Sequence, residues 1–298
     1  MFNYSPDIFI PQTISPSWSD NVSVDVLRTD LLHPVVSGNK WFKLKYYVED
    51  AIAKGYKEMA TFGGAFSNHI VASAFAAKQA GLRITGIIRG EPDMVNNSPT
   101  LQQAQEYGMH FHFVARNEYR DKELIKNKFN DFYIVNEGGY GKLGAKGAEE
   151  MLTGISHFEI YDYIILAVGS GTTMAGIINA AHHHQKVIGV SVMKNNYSLE
   201  SEMKNLINKA SYIKKYELLH SYHFGGYAKK TDELINYMNS FYKETAIPTD
   251  FVYTGKTAFA LKDLINNKVF KPYAKVLFIH TGGLQGNRSL PDGKLIFK

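Results

Sequence analysis

Two lysines, Lys40 and Lys43, stand three residues apart at the start of an amphipathic segment within "SGNKWFKLKYY". The pattern predicts that both lie near the beginning of a helix. A helix N-terminus carries partial positive charge, so cations are unfavourable there unless an anion or a reactive ligand compensates them. We therefore expect such a ligand beside this helix start.

Four glycine-rich turns follow runs that have the composition of strands, and they read "TFGGAFSN", "NEGGYGKLG", "AVGSGTTMAG" and "IHTGG". Glycine permits positive φ angles and close approach of the backbone to a ligand. In open α/β sheets, ligands bind beyond the carboxyl ends of the strands. The four turns indicate that one edge of the sheet is built around a ligand.

The turn at residues 169–173 has the features of an anion cradle. Backbone N–H groups, two threonine hydroxyls and a helix N-terminus all face it. The residues concerned are Gly169, Ser170, Gly171, Thr172 and Thr173. The sequence predicts a phosphate site here, although a tight strand-to-helix turn with threonine caps would give the same pattern.

Ser67 and Asn68 follow two glycines at another predicted helix start. Either residue could act simply as the N-cap of that helix. Alternatively, Ser67 presents its hydroxyl and backbone N–H to a substrate carboxylate, and Asn68 presents its amide to a polar edge of a ligand. From these residues alone, both interpretations stay open.

Two nucleotide-binding motifs match only in part. Residues 139–144 read G-x-G-x-x-G between a strand and a helix, but a dinucleotide site also needs an acidic residue at the end of the next strand. The nearest acid, Asp162, begins its strand instead. The "TGKT" segment fails as a Walker loop, because Asp250 stands five positions before Gly255, where a glycine is required. A nucleotide-binding oxidoreductase is therefore a remote alternative.

Composition argues against several other classes. The 298 residues include no cysteine, which rules out disulfides and thiolate chemistry and fits a cytoplasmic protein. Consecutive histidines at 182–184 cannot converge on one ion, and His110 with His112 lacks a third ligand, so we expect no metal site. We expect neither a membrane span nor nucleic-acid binding, because long apolar runs and basic clusters are missing.

Short apolar runs, from "VSVDVLRT" to "KVLFIHTGG", alternate with helical patterns along the chain. The predicted helices include residues 41–55, 67–81, 177–184, 231–246 and 258–267. Alternation of this kind predicts βαβ units, and hence an α/β fold with a mostly parallel sheet and helices on both faces.

Six motifs, in chain order from about residue 24 to 283, resemble the pyridoxal-phosphate enzymes of the 1-aminocyclopropane-1-carboxylate deaminase and D-cysteine desulfhydrase family. They read "SGNKWFKLKYY", "TFGGAFSNH", "NEGGYGKLGAKG", "VGSGTTMAG", "DFVYTGKTAFAL" and "VLFIHTGG". The resemblance implies fold type II, with two open, twisted, mostly parallel sheets, helices on both faces, and pyridoxal 5'-phosphate in the cleft between two domains. Residues 1–45 with 148–298 would form the large cofactor-binding domain, and residues 46–147 a small inserted one. A homodimer is implied as well.

The resemblance also implies roles for individual residues. The lysine of the family's Gly-Asn-Lys motif carries the cofactor as a Schiff base and matches Lys40. Lys43 would lie near the cofactor phosphate, which residues 169–173 would hold. The serine that lies over the substrate matches Ser67, and Asn68 would bond the cofactor's 3-oxygen. His69, next in that motif, would belong to the substrate-binding residues.

The substrate is expected to contact tyrosines. Tyr253 matches the catalytic tyrosine of the Val-Tyr-x-Gly-Lys motif, and a second tyrosine of the family falls by spacing on Phe224, with Tyr227 three residues later. True cyclopropane deaminases carry Glu at the position of Thr254 and Leu at that of Thr281. Two threonines at the cofactor resemble the D-cysteine desulfhydrase pattern, in which a hydroxyl bonded to a neutral pyridine suits β-elimination. We therefore expect β-elimination from a small D-amino acid to a 2-oxo acid and ammonia, with cyclopropane ring opening to 2-oxobutyrate as the alternative.

Overall fold

A computed structural model describes residues 6–211 and 214–297, and within them ten strands form two sheets. The six-stranded sheet has the order β1-β2-β10-β7-β8-β9, and the four-stranded sheet has the order β5-β4-β3-β6. Only the β1–β2 pair among these is antiparallel. The strands are β1 Gln12–Ile14, β2 Val22–Leu27, β3 Glu58–Gly64, β4 Arg83–Arg89, β5 Met109–Val114, β6 Tyr133–Val135, β7 Tyr163–Val168, β8 Lys186–Ser191, β9 Lys215–Leu219 and β10 Ala274–Ile279.

Helices flank both sheets, which confirms the predicted fold of two mostly parallel sheets. Longer α-helices alternate with the strands, as the apolar periodicity predicts. The helices are α1 Asn39–Ala53, α2 Asn68–Gln79, α3 Pro99–Glu106, α4 Lys122–Lys126, α5 Lys142–Thr153, α6 Thr172–Ala180, α7 Leu199–Lys204, α8 Asp232–Thr245 and α9 Thr254–Asn266.

Two helix starts differ from the prediction by at least four residues. α6 begins at Thr172, inside the segment predicted as a turn, because Gly171 alone completes the turn with its left-handed φ of 76°. α9 begins at Thr254, four residues earlier than predicted. There the carboxylate of Asp250 accepts hydrogen bonds from the backbone N–H groups of Tyr253 and Thr254, and it so caps the first turn.

The start of α1 is held by close contacts between helices. A Cβ on Gly147 of α5 would lie 2.0 Å from the carbonyl oxygen of Phe42 in α1, and one on Gly176 of α6 would lie 2.3 Å from that of Ala145 in α5. Only glycine permits backbones to approach so closely. α1, α5 and α6 therefore form one tightly packed group, which carries both the lysine segment and the turn at 169–173.

Candidate active site

A backbone contact with the end of β10 fixes the first residues of α1. Gly38 has a φ of 62°, and a Cβ on it would lie 2.1 Å from the carbonyl oxygen of Thr281. The N–H of Asn39 donates to the same oxygen at 3.2 Å. Lys40 thus follows a segment with little freedom, and Thr281, one of the predicted cofactor residues, lies beside it.

Lys40 is partly buried and is linked to the turn at 169–173. Its Nζ donates to Oδ1 of Asn39 at 2.8 Å, and Nδ2 of Asn39 donates to Oγ1 of Thr173 at 2.9 Å. Burial lowers the pKa of Lys40 to about 8, although the negative charge of Asp250 opposes that shift. About a tenth of this amine is then neutral at pH 7, a far larger share than for an ordinary lysine.

Lys43 lies deeper in the protein, with 3% of its surface exposed. Its Nζ donates to the carbonyl oxygen of Gly138 at 3.1 Å, and a Cβ on Gly139 would lie 3.4 Å from the Lys43 side chain. Burial, with the charge of Lys40, holds the pKa of Lys43 well below its usual range. An anion bound nearby would restore the charge of Lys43.

The turn after β7 lies against the turn at Gly138. Thr172 and Thr173 are buried, Oγ of Ser170 lies 3.1 Å from Oγ1 of Thr172, and a Cβ on Gly138 would lie 3.7 Å from Oγ of Ser170. The N-terminus of α6 begins here, after the left-handed Gly171. A helix N-terminus, two hydroxyls and the glycine turn bonded by Lys43 thus converge, as an anion site requires.

Ser67 and Asn68 lie at the start of α2, as predicted. Ser67 occupies the N-cap position, yet its side chain makes no capping hydrogen bond, so its hydroxyl is not used by the helix. Nδ2 of Asn68 donates weakly to the carbonyl oxygen of Gly283 at 3.4 Å. This contact links α2 with the glycine turn that follows β10.

His69 is buried, with 2% of its surface exposed. Its Nε2 lies 2.8 Å from the hydroxyl of Thr61, which itself donates to the carbonyl oxygen of Val135. The Thr61 oxygen must therefore accept from His69, so Nε2 carries the hydrogen and Nδ1 carries a lone pair. Nδ1 is buried without a partner. Burial and the charges of Lys40 and Lys43 hold the pKa of His69 well below its usual range.

Tyr227, rather than Phe224, lies against Tyr253. The Tyr253 hydroxyl donates to that of Tyr227 at 3.3 Å, and the two rings meet edge to face with their centroids 6.0 Å apart. The ring of Phe224 packs instead on Phe259, at 5.0 Å. Burial raises the pKa of Tyr253 well above its usual value, so its hydroxyl keeps its proton.

Asp250 is a buried residue of this region that the sequence reasoning missed. Its carboxylate accepts from the backbone N–H of Val252, of Tyr253 and of Thr254 at 2.9 Å each, and from the Thr254 hydroxyl at 2.7 Å. A Cβ on Gly283 would lie 3.1 Å from Oδ1 of Asp250. Burial raises the pKa of Asp250, while its hydrogen bonds from Thr254 and Tyr253 oppose that shift. Its position just before "FVYTG" was the only available signal.

The dinucleotide alternative finds no support in this arrangement. Asp162 lies just before β7 and not at the end of that strand. Its carboxylate accepts a hydrogen bond from the N–H of Lys275 at 3.0 Å and pairs with Lys271 at 2.6 Å. In the residues that the structure covers, no helix could cross a membrane, and no cluster of three or more His, Asp or Glu could hold a metal ion.

The sequence matches the family described as "Pyridoxal-phosphate dependent enzyme" over residues 15–282. It is 30% identical over 289 residues to a "Putative 1-aminocyclopropane-1-carboxylate deaminase" of Pyrococcus horikoshii, covering 91% of this chain and 88% of that protein. It is 27% identical to the "Bifunctional D-cysteine desulfhydrase/1-aminocyclopropane-1-carboxylate deaminase, mitochondrial" of Arabidopsis thaliana, over 91% of this chain and 75% of that protein.

A solved structure of an "ACC deaminase homologue" matches with a TM-score of 0.78 and 26% identity, covering 96% of this chain and 89% of that chain. These findings confirm the resemblance that the six motifs indicate, and with it the expected cofactor. Because the family match includes most of the chain, this protein belongs to the pyridoxal-phosphate-dependent enzymes.

Proposed function

We propose that this enzyme eliminates a β-substituent from a small D-amino acid, as a D-cysteine desulfhydrase does, and releases a 2-oxo acid and ammonia. The observation that carries the proposal is the pair of lysines in α1, one partly buried and the other buried. Lys40 has a pKa lowered to about 8, and Lys43 lies beside a glycine-lined anion cradle. One amine suits covalent attachment of an aldehyde, and the other suits a phosphate.

The residues of the site fit pyridoxal phosphate. The cofactor phosphate would lie at the N-terminus of α6, within the turn at 169–173, where the hydroxyls of Ser170 and Thr172 face one another at 3.1 Å. The aldehyde needs a neutral amine, which Lys40 supplies. Nδ1 of His69 remains as a buried acceptor for a hydrogen-bond donor of the ligand.

When bound, the cofactor supplies an electron sink for negative charge at the substrate α-carbon. In our proposal, Nζ of Lys40 would hold the cofactor and, once free, would take the α-proton of the substrate. The free hydroxyl of Ser67 would bind the substrate carboxylate, and Asn68 would bond the 3-oxygen of the cofactor. Tyr253 and Tyr227 cover the substrate and exclude water.

The proposed elimination balances without a further reactant except water. The α-proton goes to Lys40, the sulfur of D-cysteine leaves with the electron pair of its C–S bond, and the proton held by Lys40 passes to it to give hydrogen sulfide. Hydrolysis then gives pyruvate and ammonia. Thr254 and Thr281, where the cyclopropane deaminases carry Glu and Leu, support elimination over ring opening.

One contact favours the alternative, 1-aminocyclopropane-1-carboxylate deaminase. The Thr254 hydroxyl gives its hydrogen to Asp250 at 2.7 Å, so it would meet the cofactor ring as an acceptor backed by a buried carboxylate. Such a carboxylate favours a protonated ring nitrogen, and hence a stronger electron sink. Asp250 would then serve in place of the glutamate of the cyclopropane deaminases.

The first experiment tests attachment of the cofactor. The protein is reconstituted with pyridoxal phosphate, reduced with borohydride, digested and analysed by mass spectrometry. The adduct is expected on Lys40 in the wild type and to be lost in Lys40→Ala. Lys45→Ala, in the same helix, is the control and keeps it. An adduct on another lysine would disprove the assignment.

The second experiment identifies the reaction. D-Cysteine, L-cysteine, 3-chloro-D-alanine, D-serine and 1-aminocyclopropane-1-carboxylate are tested for pyruvate, 2-oxobutyrate and ammonia. We expect pyruvate from the D-amino acids, fastest with the best leaving group. 2-Oxobutyrate from the cyclopropane substrate would establish the alternative, and a preference for L-cysteine would overturn the assigned stereochemistry.

We also propose that the chain functions in the cytoplasm as a homodimer, with residues 1–45 and 148–298 as the large domain and 46–147 as the small one. The strands support this division, because β3 to β6 alone build the four-stranded sheet. Sedimentation equilibrium tests the dimer, and a single monomeric mass at micromolar concentration would disprove it.

A further inference from the structure

Lys256 lies in the first turn of α9 with none of its surface exposed. A buried cation is costly, and one at a helix N-terminus is also opposed by the helix dipole. In the described residues no carboxylate forms an ion pair with it. The proposed function gives this lysine no role, so its position needs another explanation.

The hydrogen-bond partners of Lys256 are two backbone carbonyls of one loop. Its Nζ donates to the oxygen of His223 at 2.9 Å and to that of Gly226 at 2.8 Å. The N–H of Gly226 donates to His223, and the N–H of Lys229 donates to Gly226. The ammonium therefore joins the two carbonyls on which the turns of residues 223–229 are built.

This loop has an unfavourable backbone. The φ angles are 49° at Phe224, 94° at Gly225, 122° at Gly226 and 52° at Ala228. Residues other than glycine adopt positive φ at a cost of roughly 1 kcal/mol or more each. A loop with two such residues needs contacts from outside to stay in this conformation.

The loop carries Tyr227 to Tyr253. The Tyr227 side chain is 45% exposed, and its hydroxyl accepts from that of Tyr253 at 3.3 Å. Tyr253 immediately precedes α9, and Lys256 follows three residues later. Residues at the start of α9 thus bind the loop at two points. Lys256 donates to two of its carbonyl oxygens, and Tyr253 donates to the hydroxyl of Tyr227.

We propose that Lys256 is a positioning residue that fastens the loop 223–229 so that Tyr227 closes the substrate site over Tyr253. The proposal rests on the proposed function in one respect, namely that these tyrosines line the substrate site. Lys256 itself contacts no reacting atom. It acts on substrate affinity through the loop, because the loop's conformation depends on the two carbonyl bonds.

The test compares Lys256→Met with Lys262→Met, a control in the same helix. Hydrogen exchange is measured by NMR on the protein without substrate. We expect the N–H groups of Gly226 and Lys229 to exchange at least tenfold faster in Lys256→Met, while amides in the later turns of α9 change less than twofold. Unchanged loop exchange, or equally faster exchange throughout α9, would overturn the proposal. This measurement needs no turnover, so it is independent of whether the proposed reaction is correct.

Kinetics test the effect on the substrate. Lys256→Met is expected to raise KM at least tenfold and to lower kcat less than threefold. In a Tyr227→Ala background the same change should raise KM less than twofold, because the residue that the loop positions is already gone. Equal effects on KM in both backgrounds would overturn the proposal.

A second variant covers the case in which Lys256→Met does not fold. Lys256→Gln keeps a neutral donor on a shorter side chain, so one of the two carbonyl bonds can be retained. We expect the N–H groups of Gly226 and Lys229 to exchange faster than in the wild type but more slowly than in an unprotected loop. Wild-type protection of both loop amides in this variant would contradict the proposal.

Discussion

At the scale of single residues, two lysines of one helix differ because their surroundings differ. Lys40 is partly buried, bonds a neutral amide, and has a pKa of about 8. Lys43 is almost wholly buried and bonds a carbonyl oxygen of a glycine turn. Lys40 can therefore lose its proton at little cost in free energy, and Lys43 becomes charged when an anion binds beside it. Their proposed roles follow from this difference.

The pKa of Lys40 predicts how the rate of cofactor attachment depends on pH. Only the neutral amine attacks an aldehyde, so the rate should rise about tenfold per pH unit below 8 and level off above about 8. Stopped-flow absorbance with apo-protein and pyridoxal phosphate measures it, and N-acetyl-lysine methylamide corrects for ionisation of the cofactor. A rate that still rises beyond pH 9.5 would show an unperturbed lysine.

Replacement of Lys43 by Met should weaken binding of the phosphate group specifically. Loss of one charged hydrogen bond costs about 2 kcal/mol, or roughly a thirtyfold higher Kd for pyridoxal phosphate. The Kd for pyridoxal, which lacks the phosphate, should not change, and covalent attachment should remain detectable. Lys45→Met, which loses a partly exposed pair with Glu150 and a contact with the Tyr46 ring, is the control. Equal weakening of both ligands would argue against a role at the phosphate.

At the scale of elements, the site depends on how closely three helices approach. α1 carries the two lysines, α6 begins at the phosphate turn, and α5 lies between them with its glycine contacts to both. The first residues of α1 are held in turn by the carbonyl oxygen of Thr281, after β10. Backbone contacts therefore help to align the lysines with the turn.

Gly147→Ala tests this packing, because the sign of the change in folding stability separates a close contact from an ordinary helix position. Alanine would stabilise an ordinary helix by about 1 kcal/mol. Here its Cβ would lie 2.0 Å from the Phe42 carbonyl oxygen, so overpacking should destabilise the fold by about 1–3 kcal/mol and weaken cofactor binding. Urea unfolding and cofactor titration measure both effects.

The control for this variant is Gly81→Ala, where no atom lies within 4 Å of the added Cβ. Because Gly81 has a φ of 68°, the change costs only backbone strain of about 1 kcal/mol and should leave cofactor binding intact. If Gly147→Ala proved more stable than the wild type, that result would contradict the close contact between Gly147 and the Phe42 carbonyl.

At the scale of the whole molecule, the proposed ligand site draws on both sheets. Asn68 of α2, which follows β3 of the smaller sheet, reaches Gly283 beyond β10 of the larger sheet. Lys43 bonds Gly138, which follows β6 of the smaller sheet. A bound cofactor would therefore contact elements that the chain connects only through long crossovers. Its binding should stabilise the folded state of both sheets together.

Thermal unfolding measures this stabilisation. At a cofactor concentration one hundred times its Kd, binding adds about 2.7 kcal/mol, which should raise Tm by roughly 5 °C. Pyridoxal at the same concentration should raise it much less, because it cannot use the anion cradle. The Lys40→Ala variant should keep part of the shift, since the phosphate contacts remain. A shift for pyridoxal as large as that for the phosphate would contradict the proposed cradle.

Much of the fold and part of the site could be predicted from local patterns. The glycine stops after α1 and α2, at Gly55 and Gly81, both have positive φ, as expected from helix-ending signals. β1 was missed, because three residues carry too little periodicity. The start of α9 was misplaced, because a buried carboxylate four residues earlier caps it, and such a cap depends on tertiary burial.

The sequence by itself determined the α/β class, the family and its cofactor, and the residues at the strand ends, because periodicity and short motifs are local properties. Only the tertiary structure decided which partners meet. It brought Tyr227 rather than Phe224 to Tyr253, and it joined Asp250 to the Thr254 hydroxyl. It also showed that Lys256, in the segment that does not match a Walker loop, donates hydrogen bonds to the carbonyl oxygens of His223 and Gly226 in a distant loop. Such contacts depend on how loops and helices far apart in the chain pack, and no local pattern encodes that packing.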